Sequence, residues 1–302
     1  MSELTVVTGA TGYSGKYITR RLLCAGHRVR TLTGHPDRPN TFGNRIEIVP
    51  YHFEDPDQLQ RELEGVSTLY NTYWVRFPHG ARTYEGAIAN TKTLIHAAEQ
   101  AGVRKFVHVS IANPSANSPL PYYRGKAELE AALAKSSLSW AIVRPTVIFG
   151  LEDILINNIA WLVRNFPIFL VPGSGEYRLQ PVYADDLAEI AIKAASNPEN
   201  VTLDAVGPEA YTFDEIVRLI ARTLHRRGRL AHVPPTFAYY LIRLLGPVVH
   251  DVVLTREEIK GLMDNLLVSH QPPLGRTGLA GWLKHNSSKV GRHYTSELKR
   301  HF

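Results

Sequence analysis

A single cysteine among 302 residues leaves no internal disulfide to staple the fold, which suits a reducing compartment. That residue, Cys24, lies among Leu22, Leu23 and Ala25 and is expected to be a core thiol rather than a reactive one. No apolar run reaches the roughly 20 residues that a membrane span needs. The first apolar segment starts within a few residues of Met1, so we expect no secretory leader and a cytoplasmic chain. The 13 histidines include no HExxH pair and no His/Cys cluster at metal spacing, so no metal site is expected. Gly12-Tyr13-Ser14-Gly15 lacks the final spacing of a nucleophile elbow. Of the net charge of +6, much sits late, in 222–229 and 284–300. No recognition motif or interleaved aromatics accompany it, so no nucleic-acid partner is expected. The excess reads as a basic solvated surface, or as attraction to phosphorylated ligands or anionic lipid.

What is present begins at Leu4. Leu4, Val6 and Val7 form the apolar run of a buried parallel strand. The turn Thr8-Gly9-Ala10-Thr11-Gly12-Tyr13-Ser14-Gly15 follows, and then a helical pattern with Ile18, Leu22, Leu23 and Ala25 on one face. Strand, glycine turn and helix at this spacing suit a dinucleotide. Gly9 permits the turn, Gly12 admits a pyrophosphate to the backbone, and Gly15 lets helix and strand approach. Thr11, Tyr13 and Ser14 complete the candidate phosphate cradle at the positive end of the helix. The GxxGxxG spelling TGATGYSG resembles the extended and atypical short-chain dehydrogenase/reductase superfamily.

The second strand covers 28–33. About 20 residues past the glycines an acidic side chain would hold the adenosine ribose of NAD. Thr33, Gly34 and His35 stand there instead, with Arg38 nearby, which favours NADP(H) over NAD(H). A third strand at 46–50 leads to His52 and Phe53, which either flank an adenine or belong to a packed loop. Asp55 is expected to cap a helix to Leu63. A fourth strand at 66–72 ends at Asn71 and Thr72, where α/β proteins place ligands. The aromatic run Tyr70, Tyr73, Trp74 and Phe77 either walls a nicotinamide pocket or plugs the space under the next helix, expected over 82–102. A fifth strand at 105–109 ends at Ser110.

Tyr122 and Lys126 are four apart at the start of the next helix, hence on one face. A lysine ammonium near a phenol stabilises phenolate, and such a tyrosine can exchange a proton with a carbonyl or alcohol while hydride moves. Lys126 can also hold the nicotinamide ribose. The superfamily resemblance implies a Ser or Thr hydroxyl one residue beyond the serine that Ser110 matches, but Ile111 stands there. Ser115 and Ser118 are substitutes from the loop, or ordinary loop residues. The resemblance also implies that Arg144-Pro145-Thr146-Val147 faces the nicotinamide amide through its backbone, adding Pro145 and Val147 to the candidate cofactor residues.

Later segments include a helix at 153–166, a strand at 177–182, and the stretch Gln180 to Ala188, whose Asp185 and Asp186 read as helix caps. A strand is expected at 201–206, and a helix at 212–224 with Thr212 and Glu215 as a capping box. Apolar residues at 237–253 read as small-lobe packing, with an interfacial helix as the alternative. An ordered loop at 266–282 and a charged helix at 284–302 close the chain. Together ATGYSG, YNTYWVRF, FVHVSIANPS, PYYRGKAELE, RPTVIFGLEDILINNIAWL and QPVYADDLA resemble the atypical short-chain dehydrogenases related to the nucleotide-binding accessory subunit of respiratory complex I. The resemblance implies bound nicotinamide dinucleotide without requiring turnover.

The expected fold is α/β: a doubly wound Rossmann domain with a mostly parallel sheet at 1–150, rejoined by about 182–207, plus a smaller lobe at 151–302. The expected function is hydride transfer between NADP(H) and a carbonyl or alcohol, with Tyr122 as general acid/base. The alternatives are a non-catalytic nucleotide-binding subunit and a sugar-nucleotide epimerase. Expected partners are the dinucleotide, an unknown small substrate, and a protein or peripheral membrane contact.

Overall fold

The computed structural model describes residues 3–298. The chain divides into two units, one built from 1–145 and 185–205, the other from 146–184 and 206–302.

In the first unit, seven strands form one sheet: β1 (Leu4–Thr8), β2 (Arg28–Thr33), β3 (Ile46–Pro50), β4 (Val66–Asn71), β5 (Lys105–Val109), β6 (Trp140–Pro145) and β7 (Val201–Ala205). Their order is β7-β6-β5-β4-β1-β2-β3 and every pairing is parallel. The chain order reverses between β1 and β4, which opens the crevice where doubly wound sheets bind ligands. The helices are α1 (Tyr13–Cys24), α2 (Pro56–Leu63), α3 (Tyr84–Gln100), α4 (Pro121–Ala134) and α5 (Ala184–Ala195). Sheet and helices share a core of Val6, Leu32, Leu69, Leu94, Phe106 and Leu133. Helix starts follow local chemistry. The Asp55 carboxylate accepts from Gln58 N at 3.0 Å, and the Thr83 hydroxyl from Gly86 N at 3.0 Å.

The second unit packs the helices Leu155–Asn165 and Phe213–Thr223 around Phe149, Ile156, Leu179, Ile216 and Trp282. The Thr212/Glu215 capping box forms. Asp153 sits two residues before the first helix, and its buried carboxylate accepts from Ile156 N at 2.6 Å and Asn157 Nδ2 at 2.9 Å. Burial pushes that carboxyl up to about 7.

Several expectations are corrected. Cys24 is exposed, not in the core, because it ends α1, and Ala25, the C-cap, is exposed with it. The strand expected over 177–182 is split into Arg178–Leu179 and Val182–Tyr183, since Pro181 has no N–H to donate. An unforeseen strand, Ile168–Pro172, pairs in parallel with Arg229–Val233, a partner too distant in sequence to be read locally. The loop expected over 266–282 turns helical at Leu279, and that helix ends at Asn286. Residues 287–293 are turns and bends rather than helix, with Gly291 at φ +68°, and 294–296 have no regular structure; residues 299–302 of the expected helix lie outside the described residues. Asp185 is less a cap than a partner: Arg21 of α1 grips it through Nε at 2.9 Å and a second nitrogen at 2.8 Å.

Candidate nucleotide site

The glycine turn is shaped by backbone contacts that side chains would block. Gly9 has φ +64°, and Gly12 N donates to its carbonyl at 2.8 Å. A Cβ on Gly15 would overlap that same carbonyl, and one on Gly12 would come within 3.1 Å of it. Ala10 N donates to Thr31 Oγ1 at 2.9 Å, which pins the turn to β2. Gly12 is the N-cap of α1, no side chain caps that end, and its first turn holds no acid. Thr11, Tyr13 and Ser14 flank this opening and none is fully buried. Backbone donors and a positive helix end thus meet where a pyrophosphate would lie.

Beneath the turn runs a buried polar row across three strand ends. Thr8 Oγ1 lies 3.0 Å from Asn71 Oδ1 and accepts from Thr72 N at 2.7 Å and Tyr73 N at 3.0 Å. Thr72 Oγ1 returns a bond to Thr8 O at 2.5 Å. Asn71 Nδ2 lies 3.1 Å from His108 Nδ1. Burial, with a smaller contribution from Lys126, holds the His108 imidazole well below the usual histidine range. Its Nε2 and the Ser110 hydroxyl are buried and lack a hydrogen-bond partner. Unpaired polar atoms at strand ends are what a ligand can satisfy, so the donor set and the cradle fit a dinucleotide.

On the adenosine side, His35 N donates to Thr33 Oγ1 at 3.1 Å, and Arg38 N to His35 O at 3.3 Å. A guanidinium nitrogen of Arg82 reaches His35 Nε2 at 3.2 Å. Arg82 was not singled out from the sequence, because it comes from the β4–α3 loop rather than from β2. Phe53 stacks on Tyr51 with centroids 4.7 Å apart, and both rings meet Tyr73. His52 lies in the adjoining turn, where its carbonyl accepts from Asp55 N at 3.1 Å.

On the α4 side, Lys126 is buried. Its Nζ donates to Val109 O at 3.0 Å and lies 4.4 Å from the centroid of a Trp74 ring. Desolvation pulls the amine down to about 7, against a weaker opposite pull from Glu130. Trp74 also stacks on Tyr84 at 5.9 Å and meets Tyr122 edge-on at 5.5 Å. Trp74 therefore sits between α3 and α4: a Cβ on Gly125 would lie 3.1 Å from its ring. Ser115 Oγ and Ser118 Oγ accept from loop amides at Asn117 and Leu120, as ordinary loop residues do. Ile111 brings no hydroxyl after Ser110. Pro145 ends β6, where its carbonyl accepts from Ala112 N at 2.8 Å. Val147 belongs to the second unit, with its carbonyl accepting from Val182 N at 2.8 Å.

Residues 9–153 match the family described as NAD(P)H-binding. That stretch carries an NAD(P)H-binding domain, and the chain is similar to proteins of several kinds that share it. It is 24% identical over 286 residues to NADH dehydrogenase (ubiquinone) 1 alpha subcomplex subunit 9, mitochondrial, of Arabidopsis thaliana, covering 88% of this chain and 71% of that one. It is 25% identical over 244 residues to the photosystem II assembly factor Ycf39 of Cyanidium caldarium, covering 80% and 78%. Its fold is similar to that of the Citrobacter sp. triphenylmethane reductase complexed with NADP(H), at TM-score 0.76 and 19% identity over 94% of this chain and 99% of that one.

Proposed function

We propose that this atypical reductase-like chain holds NADP(H) as a nucleotide-binding accessory protein, in which tight retention rather than turnover is the role. The carrying observation is the burial of Lys126, whose Nζ is held by Val109 O. An ammonium that is to stabilise a tyrosine phenolate must stay charged, yet burial strips this amine of water and lowers its pKa, and the Trp74 face and Glu130 offset only part of that. Nothing at position 111 supplies the hydroxyl that would polarise a substrate oxygen. Relatives named as a subunit and as an assembly factor agree with a partner-bound role.

The preference for NADP(H) rests on charge. The end of β2 offers Thr33, Gly34 and His35 without a carboxylate, and Arg82 adds a guanidinium at His35. A 2′-phosphate suits such a cluster, whereas a bare ribose gains little from it.

A second reading, an oxidoreductase, draws on Tyr122 and Lys126, one turn apart on α4. A bound nicotinamide would supply the hydride. Tyr122 would exchange the proton, helped by an amine whose pKa near neutrality lets it relay charge. The two readings separate in one experiment: NADPH consumption against a panel of carbonyl and quinone acceptors. Accessory binding predicts intact cofactor throughout. Consumption that disappears in Tyr122→Phe establishes the oxidoreductase.

A further inference from the structure

The strand Ile168–Pro172 of the second unit has two unlike faces. Phe169 turns inward, 6.1 Å from Phe213, and Val171 is fully buried. Phe166, Ile168 and Leu170 alternate on the other side and are 45%, 46% and 40% exposed. A half-buried strand ordinarily turns polar residues to water, so this outer row is apolar where alternation should make it polar. Its neighbour Arg229–Val233 pairs in register, Arg229 opposite Ile168 and Ala231 opposite Leu170. Paired residues share a face, which puts Arg229 beside the apolar row.

Arg226 and Arg227 precede on the same turn, and all three arginines are exposed. Among the described residues none of the three is in an ion pair. Like charges converge at this end of the unit. Arg164, two residues before Phe166, donates to Val290 O at 3.0 Å, and its guanidinium is disfavoured by burial and then by Arg226 and Arg292.

We propose that this apolar strand row and its arginine turn dock the second unit onto an anionic phospholipid surface. Apolar side chains on the row would enter the boundary between headgroups and acyl chains, while the guanidiniums reach the phosphates. Charge selects this occupant. A second copy meeting the same face by two-fold symmetry would gather two sets of Arg226, Arg227 and Arg229 into one interface. An acidic protein patch would answer the arginines but leave the aligned Phe166, Ile168 and Leu170 without a reason. The inference does not depend on the nucleotide site.

The test is co-sedimentation of the full chain with phosphatidylcholine vesicles and with vesicles enriched in phosphatidylglycerol. Binding is expected only to the anionic vesicles and is expected to weaken as salt rises. Arg226→Gln/Arg227→Gln/Arg229→Gln should lower the partition coefficient about a hundredfold, at about fivefold for each arginine. Ile168→Ser/Leu170→Ser should lower it about tenfold. Both sets lie on the surface, and an unchanged melting temperature checks that the fold survives. The charge-matched control Lys92→Gln/Lys135→Gln/Lys193→Gln should bind nearly as the parent does. Equal loss in that control, absence of binding to anionic vesicles, or undiminished binding by the arginine variant overturns the proposal. So does a concentration-dependent mass in ultracentrifugation that Ile168→Ser/Leu170→Ser abolishes, which would make the face a contact between copies.

Discussion

Lys126 Nζ lies 4.4 Å from the Trp74 ring centroid and is fully enclosed on the start of α4. The consequence is a measurable pH dependence. The amine titrates near 7 in the folded chain and near 10.5 when unfolded. Between those values the unfolded chain carries a proton that the folded one lacks, so stability should rise with pH across that window. Lys126→Met removes the difference. It should be more stable than the parent by a few kcal/mol near neutral pH, the gap closing towards about pH 10. Denaturant unfolding of the nucleotide-free protein at several pH values reads this out.

Thr8 Oγ1 accepts from two backbone amides, Thr72 N and Tyr73 N. Thr8→Val keeps the shape and orphans Thr72 N, while Tyr73 N keeps its bond to Asn71 Oδ1 at 3.1 Å. A loss of about 1–3 kcal/mol in unfolding free energy is expected. Thr8→Ser, which retains the hydroxyl, should recover most of it.

The glycine turn tolerates no side chain at position 15, where a Cβ would overlap the Gly9 carbonyl. Gly15→Ala should therefore abolish nucleotide retention while the second unit keeps its fold. Equilibrium dialysis with NADPH, alongside circular dichroism, tests both halves of that statement.

Arg82 offers a sharper test of cofactor choice. Arg82→Ala removes the guanidinium at His35 and should weaken NADPH binding roughly tenfold or more while leaving NADH nearly unchanged. Equal loss for both nucleotides would assign Arg82 to shaping the loop instead.

Much of the nucleotide unit was legible because its signals are local. A strand, three glycines and an amphipathic helix within 4–24 identify their own geometry, and Asp55 and Thr212 announce the helices they cap. The less legible features depend on residues distant in sequence. Arg82 reaches His35, and Arg21 reaches Asp185, only because the sheet brings their loops and helices together. His108 could have been noticed, since alternation along β5 puts it on the same side as Ser110; its partner Asn71 is supplied by β4. Trp74 meets Tyr84, Tyr122 and Gly125 only because α3 and α4 pack side by side, a pairing that no local pattern announces. The strand Ile168–Pro172 escaped detection for the same reason: its partner lies far along the chain, and its exposed face breaks the alternation that marks a half-buried strand.

The most direct measurement is mass spectrometry of the nucleotide released by denaturing the freshly purified full chain. NADP(H) is expected, close to one molecule per chain, and is expected to be lost in Gly15→Ala. Recovery of NAD(H) instead, or of no nucleotide at all, would contradict the proposed role.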